Sequence, residues 1–147
     1  MHLKDELATQ AIGKKLAQIC NTPLVIYLCG ELGAGKTTFA RGFIRALGYN
    51  GNVKSPTFSL VESYQFATIT VFHFDLYRLS DPAEIEFTGI RDICEEKNVV
   101  CLIEWPKRGG NATPKPDLVF NFEHSGECRM LDISAETSKG QSIIDNL

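Results

Sequence analysis

Gly30-Glu31-Leu32-Gly33-Ala34-Gly35-Lys36-Thr37 fits the pattern G-x-x-x-x-G-K-[S/T] at every fixed position. Each residue type there has a chemical reason. Glycines let successive backbone N–H groups turn inward around phosphate oxygens. A lysine then reaches the terminal phosphates, and the next hydroxyl ligates Mg2+. Nucleoside triphosphate binding is the first expectation, with Glu31, Leu32, Gly33, Ala34, Gly35, Lys36, Thr37 and Thr38 around the phosphates. A guanine-reading N-K-x-D is absent, so ATP with Mg2+ is the expected ligand.

Such a loop needs carboxylates beyond it to hold the metal's surroundings and to orient an attacking water. Asp75 stands in His73-Phe74-Asp75-Leu76-Tyr77-Arg78, and Glu104 directly follows the apolar run Val99 to Ile103. Both occupy strand ends, where α/β sites open. On the residues alone, which acid meets Mg2+ and which handles water stays open. Ser55-Pro56-Thr57-Phe58 offers hydroxyls that could approach a γ-phosphate as switch segments do, and reads equally well as a turn before a strand. His73, between two phenylalanines, reads as a hydrogen-bonded core histidine. Trp105 reads as a packing residue rather than a lid. Lys107, Arg108 and Lys115 read as part of a solvated loop rather than an RNA contact.

The elements that must position these residues follow from periodicity. Leu3, Leu7, Ala11, Leu16 and Ile19 predict an amphipathic helix over 3–20. Leu24 to Cys29 is a continuous β-prone run, the signature of a parallel strand buried on both faces. A helix over 37–47 follows the glycine loop and closes at Gly48. Residues 58–66 and 69–75 predict a hairpin. Asp81-Pro82-Ala83-Glu84 starts a helical stretch to about Lys97, broken near Gly89. Val99 to Ile103 is a second buried strand, 107–116 a surface loop, and 117–122 with 128–134 a second hairpin. The expected fold is α/β, a three-layer P-loop NTPase-like mixed sheet with parallel core strands and antiparallel hairpins.

At about 150 residues per domain, the 147 residues predict one domain, 1–147. A net charge of −3 argues against a surface held to nucleic acid by broad positive charge. Five cysteines, an odd number without any C-x-x-C, read as reduced core residues and not zinc ligands. The longest apolar run, Leu24 to Cys29, falls far short of the ~18 residues a membrane span needs. The start, Met1 to Glu6, lacks the order of a signal peptide. A cytoplasmic location without membrane attachment is the expectation.

Together these segments resemble the TsaE family, small bacterial P-loop ATPases of the pathway that makes threonylcarbamoyladenosine in tRNA. The likeness runs from about Asp5 to Ser134 and rests on Gly30 to Thr38, Ser55 to Phe58, His73 to Arg78, and Ile103-Glu104-Trp105-Pro106. The resemblance implies that Thr37 and Glu104 hold Mg2+ and that Asp75 is required for hydrolysis. It implies that Thr57 belongs to a switch-like segment, that Thr9 lies beside the adenine, and that Arg129 lies near the nucleotide. It further implies TsaB and TsaD as partners, which carry out the transfer to adenosine of ANN-decoding tRNAs, with tRNA met indirectly through that complex. ATP hydrolysis, slow in isolation, would reset the complex between turnovers. The family's N-terminal strand is expected to be shortened here to what Met1 to Lys4 allow. Two other classes share the loop: a small P-loop kinase, for which no arginine-rich lid is visible, and a nucleotide-dependent regulatory module with negligible turnover.

Overall fold

A computed structural model describes residues 1–147. Seven strands, β1 His2–Leu3, β2 Leu24–Cys29, β3 Val61–Gln65, β4 Thr70–Asp75, β5 Val99–Glu104, β6 Leu118–Ser125 and β7 Cys128–Ala135, form one sheet in the order β1-β7-β6-β2-β5-β4-β3. β2 runs parallel to β5 and β6, and β4 parallel to β5. The pairs β1/β7, β6/β7 and β3/β4 are antiparallel. The helices are α1 Glu6–Ile19, α2 Lys36–Ala46, α3 Ile90–Glu95 and α4 Ser138–Ile144, with 3-10 turns over Pro82–Thr88 and Pro106–Ala112. This is the expected three-layer mixed sheet.

The two-residue period of the strands divides the core. Leu24, Ile26 and Leu28 of β2, Val71 of β4, and Val100 and Leu102 of β5 cluster with Leu16, Phe39, Phe43 and Ile44 of α1 and α2. The intervening residues Val25, Phe74, Cys101 and Ile103 cluster with Leu76, Ile85, Ile90 and Cys94 on the opposite face. The same alternation carries His73 and Asp75 onto the face of Val71, and Glu104 onto the face of Leu102. Three polar side chains thus continue an apolar stripe at the carboxyl ends of two adjacent strands. α1 and α2 pack backbone to backbone over that face. A Cβ on Gly42 would stand 2.3 Å from the carbonyl oxygen of Gln10, so any side chain there would push the helices apart.

The structure departs from the sequence expectations at four places. The first helix begins at Glu6, not residue 3, because the Asp5 side chain accepts from the Ala8 N–H at 2.7 Å and caps it. Ahead of it, His2 and Leu3 pair with Met130 and Arg129 of β7, which is the expected short N-terminal strand, at the sheet edge. Residues 58–60 form a turn ahead of β3 rather than part of the strand. The expected loop over 107–116 contains the second 3-10 turn, in which Gly109 and Ala112 are buried. Finally α4, which no sequence pattern announced, is capped by Thr137 and sends Ile143 into the first core cluster. All five cysteines are free thiols. No helix is long and apolar enough to cross a membrane.

Candidate functional site

The loop between β2 and α2 sits where the sheet's parallel strands end. Gly35 caps α2 at φ 118°, a left-handed conformation that glycine adopts without strain. A Cβ there would also come within 3.0 Å of Arg129 Cδ. The first turn of α2 therefore presents unpaired N–H groups and the positive end of its dipole toward the cavity above it.

Lys36 is buried at the base of this loop. Its Nζ donates to the carbonyls of Gly30 at 2.6 Å and Glu31 at 2.8 Å. Burial pushes the Lys36 ammonium below the ordinary lysine range, an effect that the charges of Glu104, Asp75 and Glu31 partly offset. The Trp105 ring covers it, with the ammonium 4.7 Å from the ring centroid. Trp105 also packs against Tyr77, centroids 5.0 Å apart, so it serves packing as expected and shields the lysine as well. Its backbone lies at φ 55°, a strained conformation for a bulky residue.

Asp75 and Glu104 stand in register on β4 and β5. Glu104 Oε1 accepts from the Thr37 hydroxyl at 3.0 Å and meets His73 Nε2 at 2.8 Å. Asp75 Oδ2 accepts from the Ser55 hydroxyl at 3.0 Å and the Thr57 hydroxyl at 2.9 Å, while Oδ1 accepts from the Tyr77 N–H at 3.0 Å. Burying a carboxylate is tolerable only with such partners, and hydrogen bonds to a charged group contribute about 1.5–3 kcal/mol each.

A cavity of about 380 Å3 opens above these groups. Leu32, Gly33, Gly35, Lys36, Thr37, Thr38, Thr57, Asp75, Glu104 and Arg129 line it, so most of the sequence-predicted residues come together. Three do not. Ala34 is buried in the core, and Glu31 turns its carbonyl to Lys36 while bordering depressions on either side of the loop. Thr9 is fully buried in α1 with its hydroxyl on the Asp5 carbonyl, and Glu6 of the same helix lines the cavity instead. Glu6 escaped sequence reading because an acid in a helix's first turn is ordinary chemistry for a helix end. The Ser55 bond to Asp75 and the His73 bond to Glu104 join distant parts of the chain and leave no local signal. A larger groove, about 510 Å3, lies between α1 and α2, but the only charged groups lining it are Lys14 and Arg45.

The donors suit Mg2+ held on a nucleotide. No group of three or more His, Cys, Asp or Glu side chains could form a cage of its own. Mg2+ is ordinarily taken by one or two carboxylates together with phosphate oxygens and water. The Thr37 hydroxyl beside the Glu104 carboxylate is an all-oxygen pair of that kind. Across the cavity, Arg129 Nε is buried with no hydrogen-bond partner, a cationic donor suited to an anion.

Known proteins resemble this chain in sequence and in fold. The family model described as "Threonylcarbamoyl adenosine biosynthesis protein TsaE" matches residues 3–131. A Haemophilus influenzae protein named tRNA threonylcarbamoyladenosine biosynthesis protein TsaE is 43% identical over 148 residues, covering 97% of this chain and 93% of its own. A Bacillus subtilis protein of the same name is 35% identical over 119 residues, 81% of this chain and 73% of its own. The crystal structure of Bacillus subtilis YdiB matches the fold with a TM-score of 0.81 at 27% identity, covering 96% of this chain and 87% of that one.

Proposed function

The chain belongs to the TsaE family, and from that premise we propose that it binds ATP with Mg2+ and hydrolyses it in support of threonylcarbamoyladenosine formation on tRNA. In this reading it is one P-loop ATPase domain over 1–147, acts in the cytoplasm beside TsaB and TsaD, and meets ANN-decoding tRNA through them. ATP hydrolysis resets that complex between turnovers.

The observation that carries this reading is the pair of in-register acids facing the phosphate loop, one tied to Thr37 and the other to Thr57. Lys36 exchanges the Gly30 and Glu31 carbonyls for phosphate oxygens and stabilises the charge that gathers on the transferring phosphoryl group. Mg2+ would supply positive charge against the negative charge that develops on the phosphates. Thr37 and Glu104 would hold it. Asp75 accepts a hydrogen bond from the attacking water and aims its lone pair at the γ-phosphorus. The water oxygen bonds to the γ-phosphorus as the bond from that phosphorus to the β–γ bridging oxygen breaks, and the products are ADP, phosphate and a proton released to solvent. Arg129 meets the nucleotide's negative charge from the β7 side.

A nucleotide-dependent binding module with negligible turnover is favoured by one feature: two hydroxyls already occupy Asp75 Oδ2, where a water would bind. Turnover measured with TsaB, TsaD and tRNA present separates the two readings. We expect labelled γ-phosphate to appear as free phosphate, and Lys36→Ala to abolish it. Normal release by Lys36→Ala would defeat the assignment of the site, and label on a small acceptor would make the protein a kinase.

A further inference from the structure

We propose that His73 is a positioning residue for Glu104, holding its carboxylate against Thr37 in the geometry that Mg2+ requires. The inference rests on reading Glu104 as the Mg2+ carboxylate and adds a residue behind it.

His73 is fully buried on β4, flanked in sequence by Phe72 and Phe74 and paired in register with Leu102. Its Nε2 lies 2.8 Å from Glu104 Oε1, diagonally across from β4 to β5. Its Nδ1 is buried with no partner at all. A site that needed only volume would be filled better by an apolar side chain, because an orphaned imidazole nitrogen lowers stability. The single polar engagement of His73 is therefore the feature to explain.

That engagement falls on the atom that matters. A carboxylate only accepts, so the ring proton sits on Nε2 and the bond runs from His73 to Glu104. Glu104 Oε1 accepts from Thr37 and His73 together. Its other oxygen, Oε2, has no protein partner and is not among the fully buried unpaired atoms, so it keeps access to the cavity. Two donors from different elements fix both the rotation and the reach of the carboxylate. Thr37 alone would leave it free to swing about that one bond. Partners behind a metal-binding group typically matter by tenfold or more in metal affinity.

The test uses the full chain and a fluorescent, non-hydrolysable ATP analogue, titrated with Mg2+ and separately in EDTA, with the thermal midpoint of each variant measured. For His73→Leu we expect about a tenfold higher Mg2+ concentration at half-maximal tightening, with unchanged affinity in EDTA. His73→Gln places an amide N–H near the Nε2 position and should recover the Mg2+ response to within about threefold. His73→Asn reaches only the Nδ1 position and should behave like His73→Leu. If His73→Leu fails to fold, the Gln and Asn pair decides. A wild-type Mg2+ response in folded His73→Leu, or equal losses in the Gln and Asn variants, would overturn the proposal. Glu104→Gln separates the levels. If it raises the Mg2+ requirement while His73→Leu does not, only the positioning role falls. If Glu104→Gln itself has no effect, the reading of Glu104 fails and the positioning role with it.

Discussion

Asp75 and Glu104 stand side by side on neighbouring parallel strands, each only 3% exposed, yet they are tied to different kinds of structure. Glu104 is bonded to Thr37 in the first turn of α2 and to His73 inside β4, both parts of the regular frame. Asp75 is bonded to Ser55 and Thr57, on a segment without strand or helix, and to the backbone of Tyr77 just past its own strand. Equal burial therefore does not make equal residues. One acid is braced by the core, and the other is where an irregular segment closes onto the sheet. A carboxylate braced through one oxygen, with the other left open, suits a metal, whose ligands must not move. A carboxylate oxygen such as Asp75 Oδ2, whose present partners are exchangeable hydroxyls, suits water.

The largest effect should come from the exchangeable side. Asp75→Asn keeps the shape of the side chain and removes its charge, so we expect turnover in the presence of the partners to fall by about a hundredfold or more. Unchanged turnover would erase the functional half of the contrast between the two acids.

Stability should respond in the opposite order. Glu104→Ala leaves His73 buried with neither nitrogen paired, and an unsatisfied buried group costs about 1–3 kcal/mol. Asp75→Ala releases two hydroxyls and the Tyr77 N–H beside an open cavity, where water can replace the carboxylate, and should cost less. Urea unfolding midpoints of the two variants test this ranking, and equal losses would show that the two acids are braced alike.

Lys36 serves both acids and provides a control in pH. Its burial lowers the ammonium's pKa from the ordinary 10.5, and phosphate binds the charged form. Affinity should be full below that lowered value and decline by about tenfold per pH unit above it, earlier than an unperturbed lysine would allow. Nucleotide titrations from neutral to alkaline pH measure it. Affinity holding flat up to pH 10.5 would contradict the burial of Lys36.

The smallest effect belongs to a single hydroxyl. Thr57→Val removes one of the two bonds to Asp75 Oδ2 while Ser55 keeps the other. We expect a loss of about 1 kcal/mol in the closure of the 55–57 segment, read as faster amide exchange there and not in β4.

What the sequence made legible was what lies close together along the chain. The phosphate loop needs only Gly35, Lys36 and Thr37 in succession between a strand and a helix, and local pattern specifies that completely. The acids were legible because apolar runs end beside them. Their partners were not. Thr37 and Glu104 are 67 residues apart, and His73 and Glu104 are 31 apart, joined only by the parallel pairing of β4 and β5. Residue 3 misled because Leu3 fits the helical spacing of α1, while Asp5, by capping, assigns it to the strand that β7 completes. The Gly-rich segment after Trp105 signals a loop by composition, whereas with Pro106, Gly109 and Ala112 buried it winds into 3-10 turns on either side of a kink at Gly110. α4 is seven residues with a glycine in its first turn, too short and too weakly patterned to announce itself.

The division of labour between the two acids is tested most directly by titrating Mg2+ into the chain with a non-hydrolysable ATP analogue, for wild type, Glu104→Gln and Asp75→Asn side by side. We expect Glu104→Gln to need about tenfold more Mg2+ for tight binding while Asp75→Asn keeps the wild-type requirement. The reverse pattern, with Asp75→Asn shifted and Glu104→Gln unmoved, would contradict it.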